Sequence, residues 1–351
     1  MFACWSEATL QGSLRVRYLL PQIPNLRKKS VSMTGMELPF GIRRITTPLP
    51  TRPGHVHSYL LPGEDGWTLV DTGIGLPDAQ EIWAASLDGA EVARIFITHF
   101  HPDHVGAAAD VAALTGAPVS QGELDYSQCE LVWGNEEWPR RIADWFLTHG
   151  VPEEITEELI GSGNVYRPFI RYQPNPELVG DGDRLDGWEL VAAPGHADGQ
   201  LCLVKDRVLV SADHLLGRIS PTVGLWPESR PDPLGDFLES LERTIELAPE
   251  IALPGHGEPI ADPVGRAYEL IEHHRERLAF TESSLGDRPR TGYEVSLDLF
   301  GAGLKPASRR FAVAETLSHL ERLVLEERAE RRGDVGGVTY TARQLGRRAS
   351  A

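Results

Sequence analysis

The chain has 351 residues, 41% of them hydrophobic, enough for one large α/β core with an appendage or for two domains. Its formal net charge of −17 disfavours nucleic-acid backbones and anionic lipid as partners. No apolar run reaches the roughly 18 residues of a membrane-spanning helix, and the three cysteines, Cys4, Cys129 and Cys202, are too dispersed for a disulfide framework or a thiolate metal site.

Residues 1–36 read as a disordered extension. Glu7 interrupts the early apolar residues, and Arg27, Lys28 and Lys29 follow the apolar stretch, the reverse of a secretory signal. Met33 and Met36 are alternative starts to Met1, and without an export signal the expected address is the cytoplasm. Short β-rich runs then succeed one another: Ile42 to Thr46, Val56 to Leu61, Trp67 to Val70 and Ala93 to Thr98, each bounded by Gly, Pro, Asp or Asn. Asp103 to Leu114 reads as one helix ending at Gly116. Residues 123–175 gather aromatics such as Trp133, Trp138, Trp145 and Tyr166, with helical spacing from Glu136 to His149. This is a helical insertion, either a packing cap or a cover that lines a substrate site.

Strand patterns resume at Trp188 to Ala193, Leu201 to Lys205 and Arg207 to Ala212, the last two spaced as a hairpin. Asp232-Pro233 and Asp262-Pro263 each place a side-chain cap before a proline, the start of a helix. Between those helices, Ile251 to Leu253 is a buried strand. Residues 285–345 form a separate module: a helix from Tyr293 to Phe300, a longer one from Ala307 to Glu327, and a hairpin around Val335 to Tyr340. Helix, helix, hairpin is a winged-helix-like order.

The chemistry concentrates in Thr98-His99-Phe100-His101-Pro102-Asp103-His104. Imidazole and carboxylate suit borderline cations such as Zn2+. His99 and His101, leaving a strand, point to one side, while Asp103 and His104 open a helix and can face a second ion nearby. Other segments repeat one grammar, an apolar strand ending in a metal-competent residue: Asp71-Thr72-Gly73, Pro194-Gly195-His196, Ser211-Ala212-Asp213 and Pro254-Gly255-His256-Gly257. Strand ends deliver distant residues to one sheet edge.

In this order the motifs resemble those of the metallo-β-lactamase-fold hydrolase superfamily over about residues 40–280. The resemblance implies an α/β fold, a four-layer αββα sandwich within residues 37–284. It assigns His99, His101 and His196 to one metal, Asp103, His104 and His256 to a second, and Asp213 as a bridge between them. Asp71 would accept from a ligand imidazole and orient the loop. Two divalent ions are implied, zinc first, with iron or manganese as alternatives. The C-terminal module resembles the winged-helix tail of the β-lactamase-like subgroup that includes some endoribonucleases and thioester hydrolases.

The chemistry implied is hydrolysis by a metal-bridging hydroxide, with Asp103 orienting it and Asp71 in support. The expected substrate is small and ester-like, a thioester or lactone, as in glyoxalase-II-like or acyl-CoA chemistry. Alternatives are an endoribonuclease, a β-lactam hydrolase and, outside enzymes, a winged-helix DNA-binding regulator with 307–327 as recognition helix. Nucleic acid is disfavoured by charge, no membrane partner is expected, and the module admits a homodimer contact. Of the other side chains, His57, Tyr59 and His214 are candidates to touch substrate or support ligands. His55, His149, His273, His274 and His319 are expected on surfaces or helix faces.

Overall fold

The computed structural model describes residues 38–50, 52–334 and 337–343. The expected disordered extension, the alternative starts at Met33 and Met36, and Cys4 lie outside the described residues.

Alternation along the strands builds two sheets that share one core. The first sheet runs in sequence order: β1 (Arg43–Pro48), β2 (His55–Pro62), β3 (Trp67–Val70), β4 (Val92–Ile97), β5 (Val119–Gly122) and β6 (Glu177–Val179). The second is ordered β11 (Ile251–Pro254), β10 (Val208–Ala212), β9 (Leu201–Lys205), β8 (Trp188–Ala192) and β7 (Arg184–Leu185). Val70 and Phe96 point between the sheets, where they meet Leu201, Leu203, Val208 and Val210. Their neighbours Leu69, Ile95 and Ile97 point the other way, onto Trp83 of α1 (Ala79–Leu87) and Val111 of α3 (Ala108–Thr115). On the far side, Cys202 and Leu209 meet Leu234, Phe237 and Leu241 of α7 (Pro233–Leu247), and Ala267 and Leu270 of α8 (Pro263–Leu285). The layers are therefore α, β, β, α, the expected sandwich.

Local chemistry explains the element ends. Asp232 and Asp262 accept from Gly235 N and Gly265 N, each at 2.9 Å, and cap α7 and α8 as expected. The single helix expected from Asp103 to Leu114 is instead two, α2 (Pro102–Val105) and α3. The chain bends at Gly106 because Ala107 N donates to Gly73 O at 3.0 Å and Arg171 N to Gly106 O at 2.8 Å, contacts a continuous helix would forbid. The short strands β5, β6 and β7 and helix α1 gave no pattern in the sequence.

The insertion and the C-terminal module pack as one body. The insertion holds α4 (Glu123–Cys129), α5 (Trp138–Thr148) and α6 (Glu153–Asn164). The module holds α9 (Gly292–Phe300), α10 (Pro306–Leu325) and the hairpin β12 (Ala329–Asp334) with β13 (Gly337–Ala342). Ile142, Phe146 and Leu159 share one apolar cluster with Val295, Leu299, Val313, Leu317 and Leu320. A capping box of Thr291 and Glu294 starts α9. Helix α10 is enclosed along most of its length, and Arg309, 3% exposed, donates to Ser296 O and Gly301 O. A helix so covered cannot enter a DNA groove, which removes the basis for 307–327 as a recognition helix. Among the described residues no helix is long and apolar enough to cross a membrane.

Three histidines expected on surfaces or helix faces are buried: His149, His274 and His319. Hydrogen bonds offset the cost of burial for the last two. His319 Nδ1 donates to Glu315 O at 2.7 Å, so its Nε2 accepts from His274 Nδ1 at 3.2 Å, and His274 Nε2 faces Ser220 Oγ at 3.3 Å. Burial pushes the neighbouring Glu315 carboxyl up to about 7 from the usual 4.5. The folded chain therefore binds a proton that the unfolded chain releases, and stability present below pH 4.5 is lost as pH rises through about 7. Glu315→Gln should remove this loss. Relative to the parent, the variant should gain about 3 kcal/mol in denaturant unfolding between pH 4.5 and 8; parallel pH profiles would contradict it.

Candidate metal centre

Strands β3, β4 and β5 run parallel, as do β10 and β11, and their C-terminal ends meet at one edge of the sandwich. Asp71 follows β3, Thr98 and His99 follow β4, Asp213 follows β10, and Gly255 and His256 follow β11. The sheets are stitched there by His57 N donating to Gly255 O at 2.8 Å and Leu201 N to Thr98 O at 3.0 Å.

All the side chains proposed from the sequence as ligands converge at this edge. Three sets each bring one ligand atom per residue within 4.8 Å of the others: His99, His101 and His196; His99, His104 and Asp213; and Asp103, His104 and His256. His101 Nδ1 lies 2.9 Å from His196 Nε2, and His256 Nε2 lies 3.3 Å from both Asp103 Oδ2 and Asp213 Oδ2. His99 Nε2, His104 Nε2, His256 Nε2, Asp103 Oδ2 and Asp213 Oδ1 are buried without a hydrogen-bond partner. Buried polar atoms that face one another unpaired are costly unless something outside the protein accepts them. The residues present therefore fit divalent cations bound by nitrogen and oxygen donors.

Electrostatics divides the cluster. Burial and the imidazoles of His104, His101 and His196 hold His99 well below its usual range. Burial and His196 push His101 down to about 3, so both are neutral and carry lone pairs. Burial opposes the charged form of His104 too, but Asp213, Asp71 and Asp103 outweigh it and push that imidazole well up. Against burial, His104 and His256 push the Asp103 carboxyl down to about 2. In the protein alone, protons on His104 and His256 thus stand where positive charge is wanted.

A shell of hydrogen bonds aims the ligands. Asp71, at φ 62°, accepts from Thr98 N and Thr98 Oγ1, each at 2.8 Å, and from His104 Nδ1 at 2.8 Å. That last bond turns His104 Nε2 toward the centre. Thr222 O accepts from His196 Nδ1, and His55 O from His256 Nδ1, each at 2.8 Å. Gly255 leaves room for the centre: a Cβ there would stand 2.4 Å from Asp213 Oδ1 and 2.8 Å from His104 Cε1.

The remaining candidates are placed differently. Tyr59 is 1% exposed and donates to Pro254 O at 2.7 Å, so its hydroxyl is spent in the core and cannot meet substrate. His57 is buried with both nitrogens engaged, Nδ1 on Thr46 Oγ1 at 3.0 Å and Nε2 on Gly257 O at 2.8 Å. It braces the Gly255–Gly257 turn and has no nitrogen left for substrate. His214 turns away onto Thr244 Oγ1 at 2.8 Å.

Two supporting residues escaped sequence reasoning. His55, expected to be a bystander, orients His256 through its carbonyl, a role no side-chain pattern signals. Asp125, fully buried, accepts from Phe100 N at 2.9 Å and from Gln121 Nε2 at 2.6 Å, and so pins the loop between His99 and His101. A lone acid in an insertion gives no hint of this.

Residues 51–256 match the family described as the Metallo-beta-lactamase superfamily, and residues 278–343 the one described as Metallo-beta-lactamase-like, C-terminal domain. The probable metallo-hydrolase YqjP of Bacillus subtilis (strain 168) is 28% identical over 81% of this chain and 92% of its own. The crystal structure of the metallo-beta-lactamase family protein TTHA1429 from Thermus thermophilus superposes with a TM-score of 0.75. It is 36% identical and covers 87% of this chain and 99% of its own. The atrochrysone carboxyl ACP thioesterase of Passalora fulva is 22% identical over 72% of this chain and 66% of its own.

Asp71→Asn replaces the acceptor of His104 Nδ1 with an amide and should weaken metal binding about 10- to 100-fold in competition with a chromophoric chelator, without loss of fold. Unchanged affinity would show that Asp71 does not set the donor.

Proposed function

Taking as premise that the chain belongs to the metallo-beta-lactamase superfamily and is a metallo-hydrolase, we propose that it cleaves a small ester-like substrate, a thioester or lactone, at a two-ion centre. The observation that carries the proposal is the set of buried, mutually unsatisfied imidazole and carboxylate atoms at the sheet edge. There His99, His101 and His196 would hold one divalent cation and Asp103, His104 and His256 the other, with Asp213 available to both. When bound, such a pair supplies Lewis acidity and lowers the pKa of water at the site.

The chain's own groups do the rest. Asp71 fixes the His104 tautomer by accepting its Nδ1 proton, and the His55 and Thr222 carbonyls do the same for His256 and His196. Asp103, held as a carboxylate, would orient the attacking water through Oδ2, which is buried without a hydrogen-bond partner and lies 3.3 Å from His256 Nε2. Trp133, which donates to Phe100 O at 2.8 Å, ties the insertion to the histidine loop, and the aromatics gathered in that insertion suit an apolar acyl or ring group. Similarity to a thioesterase supports an acyl substrate, and the net charge of −17 opposes RNA. Nitrogen and oxygen donors without sulfur suit zinc first, then iron or manganese.

The test is a panel of thioesters, lactones, β-lactams and RNA, run on metal-loaded protein at low salt. Thioester or lactone turnover should be lost on metal removal and restored on reconstitution. Asp103→Ala should lower kcat by about a thousandfold or more. Cleavage of RNA alone, or full activity after chelation, would overturn the proposal.

A further inference from the structure

The chain has an abundance of acids, yet Arg310 pairs with none of those among the described residues. Arg310, near the start of α10, forms no ion pair or hydrogen bond among the described residues, and its Nε is buried without a partner. Its guanidinium lies over aromatic faces, 5.1 Å from the Trp226 ring centre and 5.4 Å from that of Phe311. Beside it, Gly163 admits the close approach: a Cβ there would be 2.3 Å from Arg310 Nη1. Burial lowers this guanidinium to about 10, opposed by Tyr166. The contrast with its neighbours is direct. Arg309 is spent on backbone carbonyls, Arg322 pairs with Asp232 and Glu326, and Arg328 with Glu282 and Glu326. Holding a charge in a half-buried aromatic seat without a counter-ion costs stability unless a ligand supplies one.

Its surroundings lead to the metal centre from two directions. Trp226 belongs to the loop that follows Asp213. The same loop holds His196 Nδ1 through Thr222 O, then ties to α10 by Leu225 N donating to Ala314 O at 3.0 Å, one turn beyond Arg310. On the other side Tyr166 packs with Ile74 and Leu76, the residues just after Asp71-Thr72-Gly73. The guanidinium thus sits where the insertion, the C-terminal module and the loop behind a ligand histidine meet.

We propose that Arg310 is the anion-binding residue of the substrate site, and that the substrate carries a carboxylate or phosphate remote from the bond that is cleaved. A planar guanidinium stacked on rings keeps its edge donors free and presents them as a fork, the geometry that carboxylate and phosphate oxygens accept. The tail then contributes specificity, not catalysis. The substrate class rests on the ester-hydrolase reading above; the anion site itself does not.

The experiment titrates metal-loaded protein with glutarate and, separately, with inorganic phosphate at constant ionic strength, following tryptophan fluorescence because Trp226 lies against the guanidinium. Saturable binding of one anion is expected, with identity of the stronger one separating carboxylate from phosphate. Arg310→Met should weaken it at least about tenfold, and Arg310→Lys, which keeps charge but loses the fork, by less. Thermal melting checks that each variant folds, and if Arg310→Met does not, Arg310→Lys still has to show weakened binding. In the second arm, kcat/KM for the mono-p-nitrophenyl ester of glutaric acid over that for p-nitrophenyl valerate should fall by about tenfold or more in the variants. If neither ester is cleaved while anion binding still depends on Arg310, the ester reading fails and the anion site stands. Equal anion affinity in parent and variants, or no saturable binding of either anion, would overturn the proposal.

Discussion

Donor atoms that cannot satisfy one another are the constraint around which this structure is arranged. The neutral imidazole of His99 and the carboxylates of Asp103 and Asp213 are buried at one sheet edge, with the half-buried neutral imidazole of His101 beside them. A protein interior tolerates that only with a compensating charge. The hydrogen bonds behind the ligands, from Asp71, Thr222 O and His55 O, prevent the imidazoles from turning away to find other partners. The fold supplies rigidity where it counts, because the ligands follow packed strands or, for Asp103 and His104, sit on the short helix α2 in the loop after β4.

The same edge explains why the insertion and the tail exist as one body. Phe146 and Leu159 from the insertion share a cluster with Leu317 and Leu320 from the tail, although they are far apart in the chain. Through Trp133 this body reaches the histidine loop, and through the 215–231 segment it reaches His196. The sandwich carries the candidate ligands, and the helical body packs against the loops that orient them.

Much of this was legible in the sequence, and unevenly so. The ligands could be read because each motif carries its own signal: an apolar strand, a turn-forming glycine, then a metal-competent side chain. Strands such as β3 and β4 showed by their runs of apolar residues, but β7 has two residues and β6 three, too short for any period to register. The bend at Gly106 was invisible because its cause is tertiary, in backbone bonds to Gly73 and Arg171. The burial of His274 and His319, expected on surfaces or helix faces, was not legible because it depends on each other and on a carbonyl, partners that local sequence does not reveal. Tyr59 and His57 stand near the centre, as expected, yet their polar atoms brace the Pro254–Gly257 turn and face no substrate.

The central claim is that separate strand ends cage two cations. Anomalous X-ray scattering from crystals of metal-loaded protein tests it most directly. The account predicts two peaks about 3.5–4 Å apart, one among His99, His101 and His196 and one among Asp103, His104 and His256, with Asp213 reaching both. A single peak, or ions bound away from these side chains, would contradict it.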